Sequence, residues 1–225
     1  MFIAICTLLL LESALANPLS IEKRACPDLH VFGARETTAS AGFGSAGTVV
    51  NLILNAYPGA TSEAIIYPAA GGDSYGTSVV AGVKAVTSQV TAFTQTCPNT
   101  KVVLVGYSQG SQIMDDAICG GGDQNQGIPS TAIPTSSTVI SKIKAMIWMG
   151  NPRFTPGAPY NVGTSNHAGF DPRSTGFLCP SASIIQSYCD ASDPYCSNGN
   201  NAATHQGYGT EYGQAALQFV KSKLG

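Results

Sequence analysis

The sequence predicts an α/β fold: a three-layer sandwich with a five-stranded parallel sheet in the order 2-1-3-4-5. Three observations carry this expectation. Five short runs rich in β-branched and apolar residues stand at 29–32, 64–67, 102–105, 145–149 and 183–187. Segments with helical spacing lie between several of them, and such alternation implies βαβ units and a parallel sheet covered on both faces. The chain has 225 residues, 44% of them hydrophobic, which allows a core of the required size.

The first residues read as targeting signals. An apolar run over 2–11 is followed by Ser13-Ala14-Leu15-Ala16, whose small serine and alanines suit cleavage of a secretory signal peptide over 1–16. The run is about half the ~20 residues that a spanning helix needs, so no membrane anchor is expected. Lys23-Arg24 then suits a processing protease, which gives a pro-segment over 17–24 and a single domain over 25–225. The protein is expected to be secreted and extracellular.

Within the domain, the first strand carries His30, read as a buried core residue. Gly42 to Gly47 fits G-x-G-x-x-G and opens a helix, but it begins well past Gly33 at the strand end. A dinucleotide turn starts at the strand end itself, so no such cofactor is expected, and the glycines serve close helix packing. After the second strand, Val79, Val83, Val86, Val90 and Phe93 make one apolar stripe along a helix. The third strand runs into Gly106 and is followed by another helical pattern. Residues 117–137 and 150–176 are rich in glycine and polar residues and read as long surface loops. After the fifth strand, Tyr212, Ala216, Phe219 and Val220 mark the last helix.

Six cysteines remain once Cys6 leaves with the signal, and an even count in a secreted chain points to three disulfides. In the 2-1-3-4-5 order, the first and third strands are neighbours. Cys26 and Cys97 both precede those strands, at one edge of the sheet. Cys119 returns to that edge and Cys179 precedes the fifth strand there. Cys189 and Cys196 close a tight local loop. The expected pairs are therefore Cys26–Cys97, Cys119–Cys179 and Cys189–Cys196. No C-x-x-C pair occurs, which argues against zinc. Only 11% of residues are charged and the net charge is −2. No basic stripe exists to hold phosphates, which argues against a nucleic-acid partner. A monomer is expected.

The chemistry centres on Gly106-Tyr107-Ser108-Gln109-Gly110, a G-x-S-x-G pattern with a strand before it and a helix after it. That setting is what a nucleophile elbow requires. It thrusts Ser108 out at the carboxyl edge of the sheet, above a helix N-terminus that favours negative charge. An elbow serine needs a base. Of three histidines, His30 lies in a strand and His167 in a polar, solvated loop. His205 lies in a segment read as a loop that emerges at the same edge as Ser108. Elbow hydrolases run Ser, then Asp or Glu, then His, and "CDASDPYC" offers Asp190 and Asp193. Asp193 is favoured, because Pro194 holds its backbone extended. Asp190 adjoins the strand end and is the alternative. The segments carrying Tyr195, Gln206 and Tyr208 are read as the rim.

With "HVFGARETTAS", "LVGYSQG", "CDASDPYC" and "ATHQGYG" together, the chain resembles the cutinase-like carbohydrate esterases, and among them the fungal acetyl xylan esterases, from Ala25 onward. The resemblance implies a cutinase-like α/β-hydrolase without a lid and a triad of Ser108, Asp193 and His205. It also implies an oxyanion hole from the N–H of Gln109 and from Thr37. The implied activity is removal of acetyl groups from acetylated plant polysaccharide, xylan in particular, with neither cofactor nor metal. A cutinase acting on longer aliphatic esters is the alternative, and a non-catalytic carbohydrate-binding protein a second. Relatives can carry two further disulfides, whereas Ala70, Ser165 and Ser197 stand where some of those cysteines are expected. "PAAGGDSYG" also looks shortened.

Overall fold

The computed structural model describes residues 26–129 and 135–225. The expected signal peptide (1–16) and pro-segment (17–24) lie outside the described residues. Among the described residues, six strands build one sheet: β1 (Leu29–Ala34), β2 (Thr61–Ala64), β3 (Lys101–Tyr107), β4 (Ile143–Met149), β5 (Asn161–Val162) and β6 (Ile185–Tyr188). Their order is β2-β1-β3-β4-β6-β5, and every pairing is parallel. The helices are α1 (Gly47–Ala56), α2 (Tyr75–Thr96), α3 (Gln109–Cys119), α4 (Ser137–Ile140), α5 (Ala202–Glu211) and α6 (Gly213–Leu224).

The sheet is buried on both faces, as a parallel sheet must be. Side chains alternate along each strand. Phe32, Leu104, Met146 and Trp148 pack toward α2 and α3. Val31, Val103, Val105 and Ile147 pack toward α1 and α6. The valine stripe of α2 is buried over Val79, Val83, Val86 and Val90. The last helix buries Ala216 and Val220 and leaves Phe219 half-buried.

The sheet departs from expectation at both edges. It has six strands rather than five. The extra one, β5, is two residues long and comes from the segment read as loop, too short to leave a periodic signal. The second strand occupies Thr61–Ala64 rather than 64–67. It pairs only with β1, and one side of it meets water, so Thr, Ser and Glu suffice there. The apolar Ile65 and Tyr67 lie beyond the ladder but are buried. Nor is the stretch over 150–176 only a surface loop, since Asn151, Arg153, Phe154, Asp171 and Arg173 are buried in it.

Much of that burial serves a charge cluster under α3. All of α3 is buried, including Asp115 and Asp116. Arg153 Nε lies 3.2 Å from Asp116 and Arg153 Nη1 3.2 Å from Asp123. Arg173 Nη2 lies 2.5 Å from Asp115 and 3.2 Å from Asp116. Burial pushes Asp116 well above the usual carboxylate range, against the pull of Arg173 and Arg153. Disulfides link Cys26–Cys97, Cys119–Cys179 and Cys189–Cys196, and each ties two segments at the margin of the sheet.

His30 is 4% exposed and stacks on Phe93 at 3.9 Å between ring centroids. Its Nδ1 lies 2.7 Å from Thr61 Oγ1, and its Nε2 has no partner. Burial lowers its pKa to about 4. The unfolded chain takes up a proton near pH 6.5 that the folded chain refuses until about pH 4. Stability is therefore lost as pH falls through that window, by up to about 3 kcal/mol. We expect His30→Phe to flatten this slope, so that in urea titrations wild type loses stability relative to the variant between pH 7 and pH 4.5. A constant offset between them would contradict this reading.

Candidate active site

Strand β3 and helix α3 meet at Ser108 with almost no space between them. A Cβ on Gly106 would lie 2.6 Å from Ser111 Cα, and one on Gly110 would lie 2.2 Å from the carbonyl oxygen of Ala34. Only glycine fits at either place. Ser108 itself sits at φ 51°, a conformation that side-chain-bearing residues rarely adopt. This strain turns its side chain away from the helix, at the carboxyl ends of the strands.

The imidazole of His205 stands beside it. Ser108 Oγ lies 2.9 Å from His205 Nε2, and His205 Nδ1 lies 2.7 Å from Asp193 Oδ2. An ionised carboxylate only accepts, so the ring proton sits on Nδ1 and Nε2 is free to accept from the serine hydroxyl. Asp193 has 0% exposure. Its other oxygen, Oδ1, accepts from the N–H groups of Tyr195 and Cys196 at 2.6 and 3.1 Å. Burial alone would raise its pKa. The hydrogen bond from His205 and the charge that ring carries once protonated, with bonds from the Tyr195 N–H and the Tyr208 hydroxyl, outweigh burial and hold it below the usual value.

Asp190 does not reach His205. One of its oxygens accepts from the Thr164 N–H and hydroxyl, both at 2.9 Å, and both face Tyr212 OH. His205 lies on α5, not in a loop as expected. Asn201 caps that helix by accepting from the Ala203 N–H, and Tyr107 OH donates to the His205 carbonyl at 2.6 Å. Tyr208, one helical turn on, is fully buried rather than part of the rim. Its hydroxyl donates to Asp193 Oδ2 at 2.8 Å and accepts from the Asp190 N–H at 2.9 Å. The sequence offered no sign of that role, since a tyrosine three residues past a histidine suits a rim equally well.

Ser108 and His205 line a cavity of about 690 Å³ together with Thr37, Thr38, Tyr75 and Phe170. Thr37 stands on the loop after β1. A single buried guanidinium fastens that loop: Arg35 donates to the carbonyls of Ala39, Ile65 and Tyr67. Gln109 opens α3, where a helix leaves its first N–H groups unpartnered. Its side chain is engaged elsewhere, with Ser78 and the Ala70 carbonyl. Where relatives were expected to carry a further disulfide, Ser165 Oγ donates to Ser197 Oγ at 2.8 Å. Among the described residues, no group of three His, Cys, Asp or Glu is placed to hold a metal ion.

Fold and site together have the layout of an α/β hydrolase with an elbow serine. The Cutinase family profile matches residues 25–224, and the chain belongs to the cutinase family. Acetylxylan esterase 2 of Talaromyces purpureogenus is 61% identical over 220 residues, covering 94% of each chain. Cutinase 11 of Verticillium dahliae is 59% identical over 223 residues, covering 96% of this chain and 76% of that protein. The solved catalytic core of the Trichoderma reesei acetyl xylan esterase superposes with a TM-score of 0.87 at 56% identity, covering 88% of this chain and 100% of that one.

Proposed function

We propose that this chain is a secreted serine esterase that removes acetyl groups from acetylated xylan. The observation that carries it is the hydrogen-bonded run from Ser108 through His205 to Asp193, opening on one cavity. His205 takes the hydroxyl proton as Ser108 Oγ attacks the acetyl carbonyl. Asp193 holds the ring in its tautomer and stabilises the imidazolium that forms. The N–H of Gln109 and the N–H and hydroxyl of Thr37 receive the oxyanion. One such donor is typically worth ~10²–10³ in kcat. The sugar oxygen leaves with the proton from His205, and a water activated by the same ring releases acetate from Ser108.

The cavity lining favours a short acyl group. It includes Glu36, Thr37, Thr38, Ser45 and Gln206 beside aromatic rings, and no Leu, Ile, Val or Met. A long acyl chain gains ~0.8 kcal/mol for each methylene buried against apolar atoms, and the apolar atoms here belong mainly to aromatic rings rather than to an aliphatic trough that would enclose such a chain. The identity to Cutinase 11 supports a second reading, hydrolysis of longer aliphatic esters. Acetate release from acetylated xylan, with relative rates on acetate and octanoate esters, separates the two. We expect release from the polymer and a rate that falls with acyl length. A rate that rises with acyl length would favour the cutinase reading.

Three disulfides and an apolar leader agree with an extracellular location. Among the described residues, no helix is long and apolar enough to cross a membrane. The low charge content argues against a nucleic-acid partner, and we take the working form to be a monomer with a single domain over 25–225.

A further inference from the structure

Two large aromatic side chains beside the reactive serine are left in water. Phe170 is 51% exposed and Tyr195 44% exposed, and both line the Ser108 cavity. Leaving a phenyl ring in water forgoes about 1.5–3 kcal/mol of burial, so a fixed, exposed ring at this place calls for an occupant.

Both rings are held firmly. The Phe170 N–H donates to the Tyr195 carbonyl at 3.0 Å, so the two residues stand side by side. Gly169 before it permits close passage, since a Cβ there would lie 2.3 Å from the Pro152 carbonyl oxygen. Asp171 after it is a buried anchor. Its carboxylate accepts from Gln112 and Asn125, each at 2.6 Å, and from Gln126 at 2.9 Å. Tyr75 meets the Phe170 ring edge-on at 5.6 Å, and its hydroxyl donates to the same Gln112. Tyr195 packs against the His205 ring at 4.5 Å.

We propose that Phe170 and Tyr195 form a stacking platform for a sugar ring of the substrate, so that selectivity rests on the sugar as well as on the acetyl group. This deepens the esterase reading above and rests on it. A pyranose presents apolar C–H faces with hydroxyls around its edge. A platform of rings bordered by Glu36, Ser45 and Gln206 offers both chemistries. Because backbone bonds and the Asp171 anchor fix Phe170 beforehand, little ordering entropy is lost when a sugar settles on it.

The test compares the specificity constant on an acetylated xylo-oligosaccharide with that on ethyl acetate, which has no sugar to stack. In Phe170→Ala, the ratio of the two constants falls about fivefold to tenfold, the worth of one aromatic contact, and the change lies in KM more than in kcat. Phe170→Trp restores the ratio. Equal losses on both esters, or an unchanged ratio, would overturn the platform. So would a loss confined to octanoate esters, which would assign the ring to the acyl chain. Wild-type protein that turns over ethyl acetate but not the oligosaccharide would instead overturn the xylan reading beneath it.

Discussion

Ser108→Ala is expected to leave less than about a thousandth of wild-type turnover on an acetyl ester. The reasoning starts at the elbow. The strained backbone at Ser108 serves to present one oxygen atom to His205, and alanine keeps the backbone but removes that oxygen. The cavity, the Thr37 loop and the N–H of Gln109 remain, so residual rate from binding and oxyanion stabilisation persists above the uncatalysed reaction. His205→Ala should fall to a similar level, and the double variant should be little worse, because nucleophile and base act as one unit. Steady-state rates on ethyl acetate measure this. Turnover of Ser108→Ala within tenfold of wild type would reject the assignment of the nucleophile.

The second large effect concerns stability. Arg173→Met is expected to destabilise the fold by about 3–5 kcal/mol at pH 7, because it strands buried carboxylates without their cation. Arg173 is 4% exposed and faces Asp115 and Asp116, both 2% exposed. It also donates to the carbonyls of Gly120 and Gly122. Arg153 is already engaged with Asp116, Asp123 and Asp171, so it cannot replace the lost charge. The pH dependence gives a second readout. Arg173 pulls the Asp116 pKa down against burial, so removing it raises that folded-state pKa further, and such a rise favours the folded state as pH falls and Asp116 takes up a proton. The cost at pH 4.5 should thus be smaller than at pH 7. Fluorescence of Trp148, the single tryptophan and fully buried, reports unfolding in urea. An equal cost at both pH values would show that packing, not charge, is what the variant loses.

How much of this was readable from residues alone depends on the range of the interactions. Ser108 was readable because its two glycines and flanking patterns are adjacent in the chain. The proline after Asp193 is the local signal that singles it out from Asp190, and in the structure Asp193 faces His205 while Asp190 contacts Thr164 and Tyr212. The parallel sheet was readable from strand–helix alternation, and its order follows the flavodoxin-like arrangement of doubly wound sheets, except at its edges. β5 has two residues, and β2 is polar because half of it is solvated.

Helix α5 was missed because it has no apolar stripe. It buries only His205, Tyr208 and Gly209, and it is held by contacts from afar. Gly209 packs against Thr48, and Tyr107 reaches the His205 carbonyl. The charge cluster was missed for the same reason. Its members stand at 115, 116, 123, 153, 171 and 173, and no local pattern announces that a polar stretch will be folded inward. Tyr208 and Phe170 show the two opposite errors that result. Tyr208 lies three residues past His205, where a rim residue is equally expected, yet it is buried against Asp193; Phe170 lies in a polar stretch with no local pattern, yet it stands exposed beside the serine.

Reaction with an organophosphonate tests the central proposition most directly. The reagent phosphonylates a serine only where a neighbouring base and oxyanion donors make it nucleophilic. The account predicts a single adduct by intact mass, mapping to the peptide that carries Ser108, and greatly slowed labelling in His205→Ala. A folded protein that takes up no label, or that takes it up elsewhere, would contradict it.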